Sequence, residues 1–205
     1  MGHAVVAPDL PCEDPEATFD DYAAVVVDAL AGAGEDVVVV GYSLGGQTAP
    51  LVAARRPVRA LVYVAAMVPE PQTSLGEQFA RGERQLRPDY LAGIEGPGEE
   101  GVSRWVDFAV YHDTGCQDCS EAVARERFER SRGQAVGPFA HPCSLTAHPD
   151  LPTRAILYSE DRILNNDFWL KAVPDRLGIE SEVLPGSHAP MAADGAALAR
   201  RLASH

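Results

Sequence analysis

The hydrophobic pattern of the chain consists of short apolar runs separated by segments in which apolar residues recur every three or four positions. Residues 37–40 are four consecutive valines. A β-branched run without alternating polar residues is typical of a strand buried on both faces, as in a parallel sheet covered by helices. A second buried strand is predicted at residues 155–158, and a short last strand at residues 182–184. The pattern therefore predicts an α/β fold with a mostly parallel sheet flanked by helices.

Two helices are indicated in the first quarter of the chain. Thr18 is a suitable N-cap, and Asp20 and Asp21 would lie in the first turn, where negative charge is favourable. The apolar residues that would share one face of this helix are Ala23, Val26, Val27 and Leu30. A second helix is predicted over residues 44–55, directly after the valine strand.

Residues 69–149 interrupt the α/β pattern, because this stretch is rich in proline, glycine and charge. Within it, helical stretches are predicted near residues 102–110 and 120–132. We interpret the whole stretch as a helical cap insert. The α/β core is then built from residues 1–68 and 150–205.

A Gly-x-Ser-x-Gly motif joins the valine strand to the predicted second helix, with Ser43 at its centre. This arrangement of strand, turn and helix is typical of a nucleophile elbow, which exposes the serine hydroxyl above the sheet edge. We expect that a Cβ at Gly41 or Gly45 would crowd the turn, and that Gly46 lets the helix lie close to the strand. The backbone N–H of Leu44 is the predicted oxyanion donor.

A nucleophilic serine needs a histidine as base and a carboxylate to orient that histidine. His188 follows the last predicted strand, in a Pro-Gly-Ser-His loop. Glu160 and Asp161 both follow the strand at 155–158, and spacing alone does not separate these neighbours. We favour Asp161, because a carboxylate further beyond the strand end can turn more easily toward His188. The predicted catalytic residues are therefore Ser43, Asp161 and His188.

The predicted substrate-binding residues are aromatic side chains near the elbow or in the insert. They could line an apolar acyl or aryl pocket, although aromatic residues at helical spacing more often belong to a core. These residues are Tyr42, Trp105, Phe108, Tyr111 and Phe139.

Composition narrows the classes of partner. The formal net charge is −13, which argues against nucleic acid and anionic membranes as partners. No stretch resembles a signal peptide or a membrane anchor. Cys116 and Cys119 form a Cys-x-x-Cys pair, but no second ligand pair of a zinc site accompanies it. We expect reduced thiols, a cytoplasmic location, and no metal or organic cofactor.

Several segments resemble the α/β-hydrolase superfamily, in the branch of plant-type methylesterases, hydroxynitrile lyases and their bacterial esterase relatives. Residues 2–11 resemble the fourth strand of that fold, and residues 62–69 resemble its sixth strand. Residues 18–23, 159–163 and 186–191 are similar to its next helix, its acid loop and its histidine loop. The resemblance implies a carboxylesterase that uses a Ser-His-Asp triad, with Asp161 as the acid.

The chain departs from this family pattern in two places. The N-terminal strand and the loop that supplies a second oxyanion N–H would precede residue 2, so we expect both to be lacking and interpret Met1 as an internal methionine of a longer protein. The unpaired strand edges could favour association, including a homodimer. Ala189 follows His188, where hydroxynitrile lyases typically carry lysine, so hydrolysis of a small, largely apolar ester is favoured over C–C lyase chemistry. A catalytically impaired fragment or binding module is the other alternative.

Overall fold

The computed structural model describes residues 2–203, so Met1, the proposed internal methionine, and residues 204–205 lie outside the described residues. The described strands are β1 (Val38–Ser43), β2 (Ala60–Ala66), β3 (Ile94–Glu95), β4 (Val102–Trp105), β5 (Gln134–Ala135), β6 (Thr153–Tyr158) and β7 (Glu182–Leu184). The described helices are α1 (Phe19–Ala29), α2 (Ala49–Arg55), α3 (Leu75–Ala80), α4 (Phe108–Gly115), α5 (Glu121–Glu129), α6 (Asn166–Leu177) and α7 (Pro190–Ala203). Short 3₁₀ helices lie at Leu44–Gly46, Asp89–Gly93 and Gly137–Ala140.

The main sheet has four strands in the order β1-β2-β6-β7, and each neighbouring pair is parallel. Every residue of β2 is buried, as expected for a central strand covered on both faces. Because parallel strands need crossover connections, helices separate the strands along the chain and pack against the sheet. The predicted parallel α/β sheet flanked by helices is confirmed.

The start of α1 agrees with the sequence prediction. Thr18 is the N-cap, and its hydroxyl accepts a hydrogen bond from the backbone N–H of Asp21 at 3.2 Å. The Asp21 carboxylate in turn accepts from the Thr18 N–H at 2.8 Å. This reciprocal pair is a capping box, which satisfies two N–H groups that the helix itself leaves unbonded.

Residues 69–149 contain a second sheet as well as helices. Strands β3, β4 and β5 form an antiparallel sheet of three strands. The predicted helix at residues 102–110 is therefore wrong, since its first half is strand β4 and α4 begins only at Phe108. Asp107 decides that boundary, because its side chain accepts from the Val110 N–H and caps α4. The helix predicted near residues 120–132 is confirmed as α5, with Ser120 as its N-cap.

Residues 2–11, which resemble the fourth strand of the family fold, do not form a strand. Residues 2–10 have no regular secondary structure, and Val5 is 85% exposed. Strands need a neighbour for their ladder of hydrogen bonds, and β2 is the only sheet neighbour that β1 has within residues 2–203. The valine strand is correspondingly less covered than predicted. Val39 is buried, whereas Val40 is 42% exposed.

The helix predicted over residues 44–55 is divided. A 3₁₀ turn occupies Leu44–Gly46, and α2 begins at Ala49. Two successive glycines disfavour a regular α-helix directly after the elbow. Pro50 lies in the first turn of α2, where a missing N–H costs nothing.

Candidate functional site

Ser43 is the last residue of β1, and its backbone adopts φ 52° and ψ −124°. A positive φ is strained for a serine and is maintained only where the surrounding structure imposes it. The neighbouring glycines provide the space for this turn. A Cβ on Gly46 would lie 2.4 Å from the Met67 carbonyl oxygen, and one on Gly41 would lie 2.9 Å from the Ala49 Cβ.

The prediction of crowding at Gly45 is wrong, because no atom of residues 2–203 outside the immediate turn lies within 4 Å of a Cβ built there. The close approaches expected at the other two glycines are confirmed, at Gly41 under the start of α2 and at Gly46 beside β2. The packing requirement of the elbow therefore falls on the first glycine of the motif and on the residue after its last glycine.

The structure brings Ser43, His188 and Asp161 into one hydrogen-bonded chain. Ser43 Oγ lies 2.9 Å from His188 Nε2, and His188 Nδ1 lies 2.8 Å from Asp161 Oδ2. His188 and Asp161 are only 3% and 4% exposed. In a neutral imidazole with its proton on Nδ1, His188 donates to Asp161 and can accept the Ser43 hydroxyl proton at Nε2.

Local backbone contacts select Asp161 over Glu160 as the partner of His188. The second carboxylate oxygen of Asp161, Oδ1, accepts hydrogen bonds from the N–H groups of Ile163 and Leu164, each at 2.8 Å. These two bonds fix the carboxylate plane while Oδ2 faces the imidazole. Glu160 is exposed, and it contacts the rest of the site through its backbone: its N–H donates to the Gly186 carbonyl at 3.0 Å, and its own carbonyl accepts from Gln117.

A loop from the insert supports the histidine on both sides of its backbone. We call residues 115–119 the bracing loop. The Asp118 carboxylate accepts a hydrogen bond from the Ser187 N–H at 2.8 Å, and the Gly115 carbonyl accepts from the Ala189 N–H at 3.0 Å. Ser187 and Ala189 flank His188, so both contacts restrain the position of the imidazole.

The bracing loop also reaches the acid. Gln117 Nε2 donates to the Glu160 carbonyl at 2.7 Å, directly before Asp161. Sequence analysis missed this role of Gln117 and Asp118, because both are ordinary polar residues 43 and 69 positions from the groups they contact. The Cys-x-x-Cys spacing marked this loop, but it pointed toward metal or redox chemistry.

The two cysteines of this motif are free thiols. Cys116 is fully buried, and burial together with the adjacent Cys119 raises the pKa of its thiol to about 12. A thiol with so high a pKa is a poor nucleophile near neutral pH. Within residues 2–203, no group of three or more His, Cys, Asp or Glu side chains is arranged to hold a metal ion.

A cavity of about 1080 Å³ opens beside Ser43 and His188. Four of the five aromatic residues predicted to bind substrate line it, together with Leu44. These four are Tyr42, Trp105, Tyr111 and Phe139. The Tyr42 ring lies 5.2 Å from the His188 ring, so this part of the cavity wall lies next to the candidate catalytic histidine.

Phe108 is not among the residues that line this cavity, so its predicted place in the pocket is corrected. Its ring packs edge-on against Phe128 at 5.6 Å and lies under the Arg125 guanidinium at 4.0 Å. Both partners belong to α5. Phe108 therefore joins α4 to α5 instead of facing the cavity.

Charged side chains of the cavity were not anticipated from sequence. Part of its wall is formed by Glu126, Arg127, Arg130 and Arg132. Apolar residues outside the aromatic set line much of the remaining surface. They include Leu75, Phe79, Leu86, Val136, Ile163 and Met191.

A parallel sheet whose strand–turn–helix elbow presents a serine to a buried His–Asp pair defines the class of α/β proteins with a Ser-His-Asp site. A family model described as "Alpha/beta hydrolase family" matches residues 1–201. The chain belongs to the alpha/beta hydrolase family.

Two similar proteins of known sequence carry esterase or hydrolase names. The chain is 34% identical over 82 residues to "Probable esterase PIR7A" of Oryza sativa subsp. indica, a match covering 38% of this chain and 31% of the rice protein. It is 24% identical over 188 residues to "Probable hydrolase R7" of a Phoma species, covering 86% of this chain and 73% of the fungal protein. The chain thus spans about a third of the length of the rice relative.

Solved structures share the fold at low sequence identity. Polyneuridine aldehyde esterase superposes with a TM-score of 0.80 at 20% identity, covering 98% of this chain and 87% of that one. A pyrethroid hydrolase from Sphingobium faniae JZ-2 gives a TM-score of 0.73 at 23% identity, covering 96% and 83%. No helix within residues 2–203 combines the length and apolar character needed to span a bilayer.

Proposed function

We propose that this chain is a serine esterase that cleaves a small, largely apolar ester through an acyl-enzyme intermediate. The observation that carries the proposal is the continuous chain of hydrogen bonds from Ser43 Oγ through His188 to Asp161, at 2.9 and 2.8 Å. The esterase and hydrolase names of its relatives support the same reaction class.

The proposed reaction follows from this geometry. Ser43 Oγ attacks the ester carbonyl carbon while His188 Nε2 accepts the hydroxyl proton, and Asp161 stabilises the imidazolium that forms. The Leu44 N–H stabilises negative charge on the carbonyl oxygen. His188 then donates its proton to the leaving alkoxide. Water, deprotonated by His188, then attacks the acyl carbon. The bond from that carbon to Ser43 Oγ breaks, His188 returns its proton to Oγ, and the acid is released.

We further propose that residues 69–149 act as a cap over Ser43. The cavity wall combines Tyr42 and Leu44 of the core with Trp105 and Tyr111 of that insert. Substrate bound there would be enclosed on one side by the elbow and on the other by the insert. The bracing loop belongs to the same insert, so the proposed cap also positions the catalytic loops.

Two alternatives differ in chemistry. Lyase activity on the same three residues would lack the lysine that typically follows the histidine in hydroxynitrile lyases, since residue 189 is alanine and Lys171 is the only lysine of the chain. A binding module with the same cavity would retain ligand without turnover. Cyanide release from mandelonitrile would favour the first alternative, and saturable binding of an ester without hydrolysis would favour the second.

The first experiment is p-nitrophenyl acetate hydrolysis by the purified chain beside its Ser43→Ala variant. We expect a loss of at least about 10³-fold in kcat, because no other group replaces the nucleophile. Ser159→Ala, which alters an exposed serine at the end of β6, is the matched control and should retain activity. Equal rates for the folded wild type and Ser43→Ala, with folding checked by circular dichroism, would overturn the proposal.

A further inference from the structure

We propose that Arg127 binds a carboxylate of the substrate, so that the ester cleaved at Ser43 carries an anionic group in addition to its apolar part. The inference rests on the proposed esterase function and names its substrate class more closely. Three observations support it. The other arginines of the cavity wall are paired with carboxylates, the buried Nε of Arg127 lacks a hydrogen-bond partner among the described residues, and Arg127 lines the same cavity as His188.

Most charged side chains of the cavity wall already have partners of opposite charge. Arg130 lies 3.2 Å from the Glu126 carboxylate, and Arg132 lies 3.4 Å from Glu13. Arg127 differs from them. Within the part of the chain that the structure describes, no carboxylate lies within 4.0 Å of its guanidinium.

The Arg127 guanidinium is also incompletely hydrogen-bonded. Its Nη2 approaches the Met191 sulfur at 3.9 Å, a weak contact for a cation. The guanidinium also donates a hydrogen bond to the Tyr111 hydroxyl, which opposes the rise that burial causes in the pKa of that phenol. The remaining deficit lies at a different atom of Arg127. Its Nε is buried and has no hydrogen-bond partner among the described residues. A buried N–H of a charged group that has no acceptor costs free energy. A ligand that supplied an acceptor would therefore gain binding free energy at this position.

Arg127 shares the cavity with the reacting groups. Met191, which it contacts, lies three residues after His188 and lines the same space. Tyr42, whose ring lies 5.2 Å from the imidazole, also responds to this charge. Burial raises the pKa of the Tyr42 phenol, and the positive charge of Arg127 opposes that rise. Because Ser43 and Arg127 both line the cavity, a ligand that fills it can contact both.

A carboxylate is the chemical group that best fits this position. The planar guanidinium offers parallel N–H donors that match two carboxylate oxygens, and the pair is strengthened where water is excluded. The chain as a whole has a formal charge of −13, which would not attract an anion from a distance. Recognition should therefore act at short range and should change KM more than the diffusional association rate.

The test compares two esters of nearly equal shape. Mono-p-nitrophenyl glutarate places a carboxylate where p-nitrophenyl valerate has its terminal methyl group. A second pair, 4-carboxyphenyl acetate and p-tolyl acetate, places the same difference on the alcohol side. Each rate is divided by the rate of spontaneous hydrolysis of that ester. The two pairs distinguish recognition on the acyl side from recognition on the alcohol side.

The variants are Arg127→Met, which keeps the apolar bulk, and Arg127→Lys, which keeps the charge but not the planar set of parallel N–H donors. Arg125→Met is the matched control, because Arg125 lies on the same helix, is exposed and pairs with Glu121. In at least one ester pair, we expect the wild type to prefer the anionic ester in kcat/KM. Arg127→Met should reduce that preference by about 10- to 100-fold, mainly through KM, while Arg125→Met retains it. Arg127→Lys should give an intermediate value.

Two results would overturn the inference while leaving the esterase proposal intact. One is Ser43-dependent hydrolysis in which the wild type shows no preference in either pair. The other is an equal loss on anionic and neutral esters in Arg127→Met, which would assign Arg127 a structural role. If the folded wild type hydrolyses none of the four esters, the proposed function and this inference both fail.

Discussion

Asp161 shows how backbone contacts select one of two adjacent carboxylates. Its Oδ1 is held by two N–H groups of the following turn, which leaves Oδ2 to face His188. Glu160 is one residue closer to β6 and points to solvent. The difference arises from the direction of the chain at the end of the strand. Because the two neighbouring acids lie in different environments, substitutions at each should have different effects on activity.

Asp161→Asn should lower kcat by about 10³- to 10⁴-fold, because an amide can donate to Nδ1 and stabilise the tautomer that cannot accept the Ser43 proton. Glu160→Gln is the matched control and should stay within about twofold of the wild type, since its carboxylate makes no contact with the imidazole. Steady-state hydrolysis of p-nitrophenyl acetate measures both. A large loss in Glu160→Gln with normal activity in Asp161→Asn would reverse the assignment.

At the scale of elements, the bracing loop connects α4 to the loops that carry His188 and Asp161. It contacts the backbone on both sides of His188 and the residue before Asp161. The insert and the α/β core thus share the task of placing the site. A disturbance of this loop should change the orientation of the imidazole before it changes the stability of the sheet.

Asp118→Ala should reduce kcat by about tenfold with little change in KM, because it removes the acceptor for the Ser187 N–H and loosens His188. Asp118→Asn retains an oxygen acceptor at the same place and should restore most of kcat. Urea unfolding of both variants provides the comparison with a purely structural role. Equal losses of kcat in the two variants, or a loss that follows the free energy of unfolding, would contradict positioning by this hydrogen bond.

The elements that could be predicted from sequence are those with local causes. The capping box of α1, the buried strand β6 and the elbow at Ser43 each follow from neighbouring residues. The predicted helix at residues 102–110 failed because β4 is stabilised by β3 and β5, whose pairing depends on residues up to 33 positions away. The predicted helix at residues 44–55 is split into a 3₁₀ turn and α2, because two successive glycines disfavour an α-helix directly after Ser43.

At the scale of the whole molecule, an ion-pair network connects α6 to the segments that follow β2 and α3. Arg176 of α6 donates to the Val68 carbonyl at 2.6 Å and to the Glu83 carboxylate at 2.8 Å. Arg81 pairs with both Glu70 and Glu83. The hydrogen bond from Arg81 holds the pKa of Glu70 below its usual value. The structure contains one copy of the chain, so the expected homodimer stays a prediction.

This network predicts a pH dependence of stability. Because the pKa of Glu70 is lower in the folded state, the contribution of Glu70 is present above the unfolded pKa near 4.5 and is lost as the pH falls through the folded value. Arg81→Gln should therefore flatten the decline in the free energy of unfolding between pH 6 and pH 3. Urea unfolding across this range measures it, with Arg59→Gln as an exposed control. An unchanged slope in Arg81→Gln would refute the assignment to Glu70.

The sequence by itself determined the α/β class, the elbow around Ser43 and the candidate base and acid, because strand periodicity, turn geometry and helix caps depend on residues close together in the chain. Only the tertiary structure decided which side chains meet. It separated Asp161 from Glu160, moved Phe108 out of the cavity and placed Asp118 against the histidine loop. Among residues 2–203, it also left Arg127 without a carboxylate within 4.0 Å. Each of these depends on packing between segments distant in sequence, where burial and the availability of a partner decide the outcome.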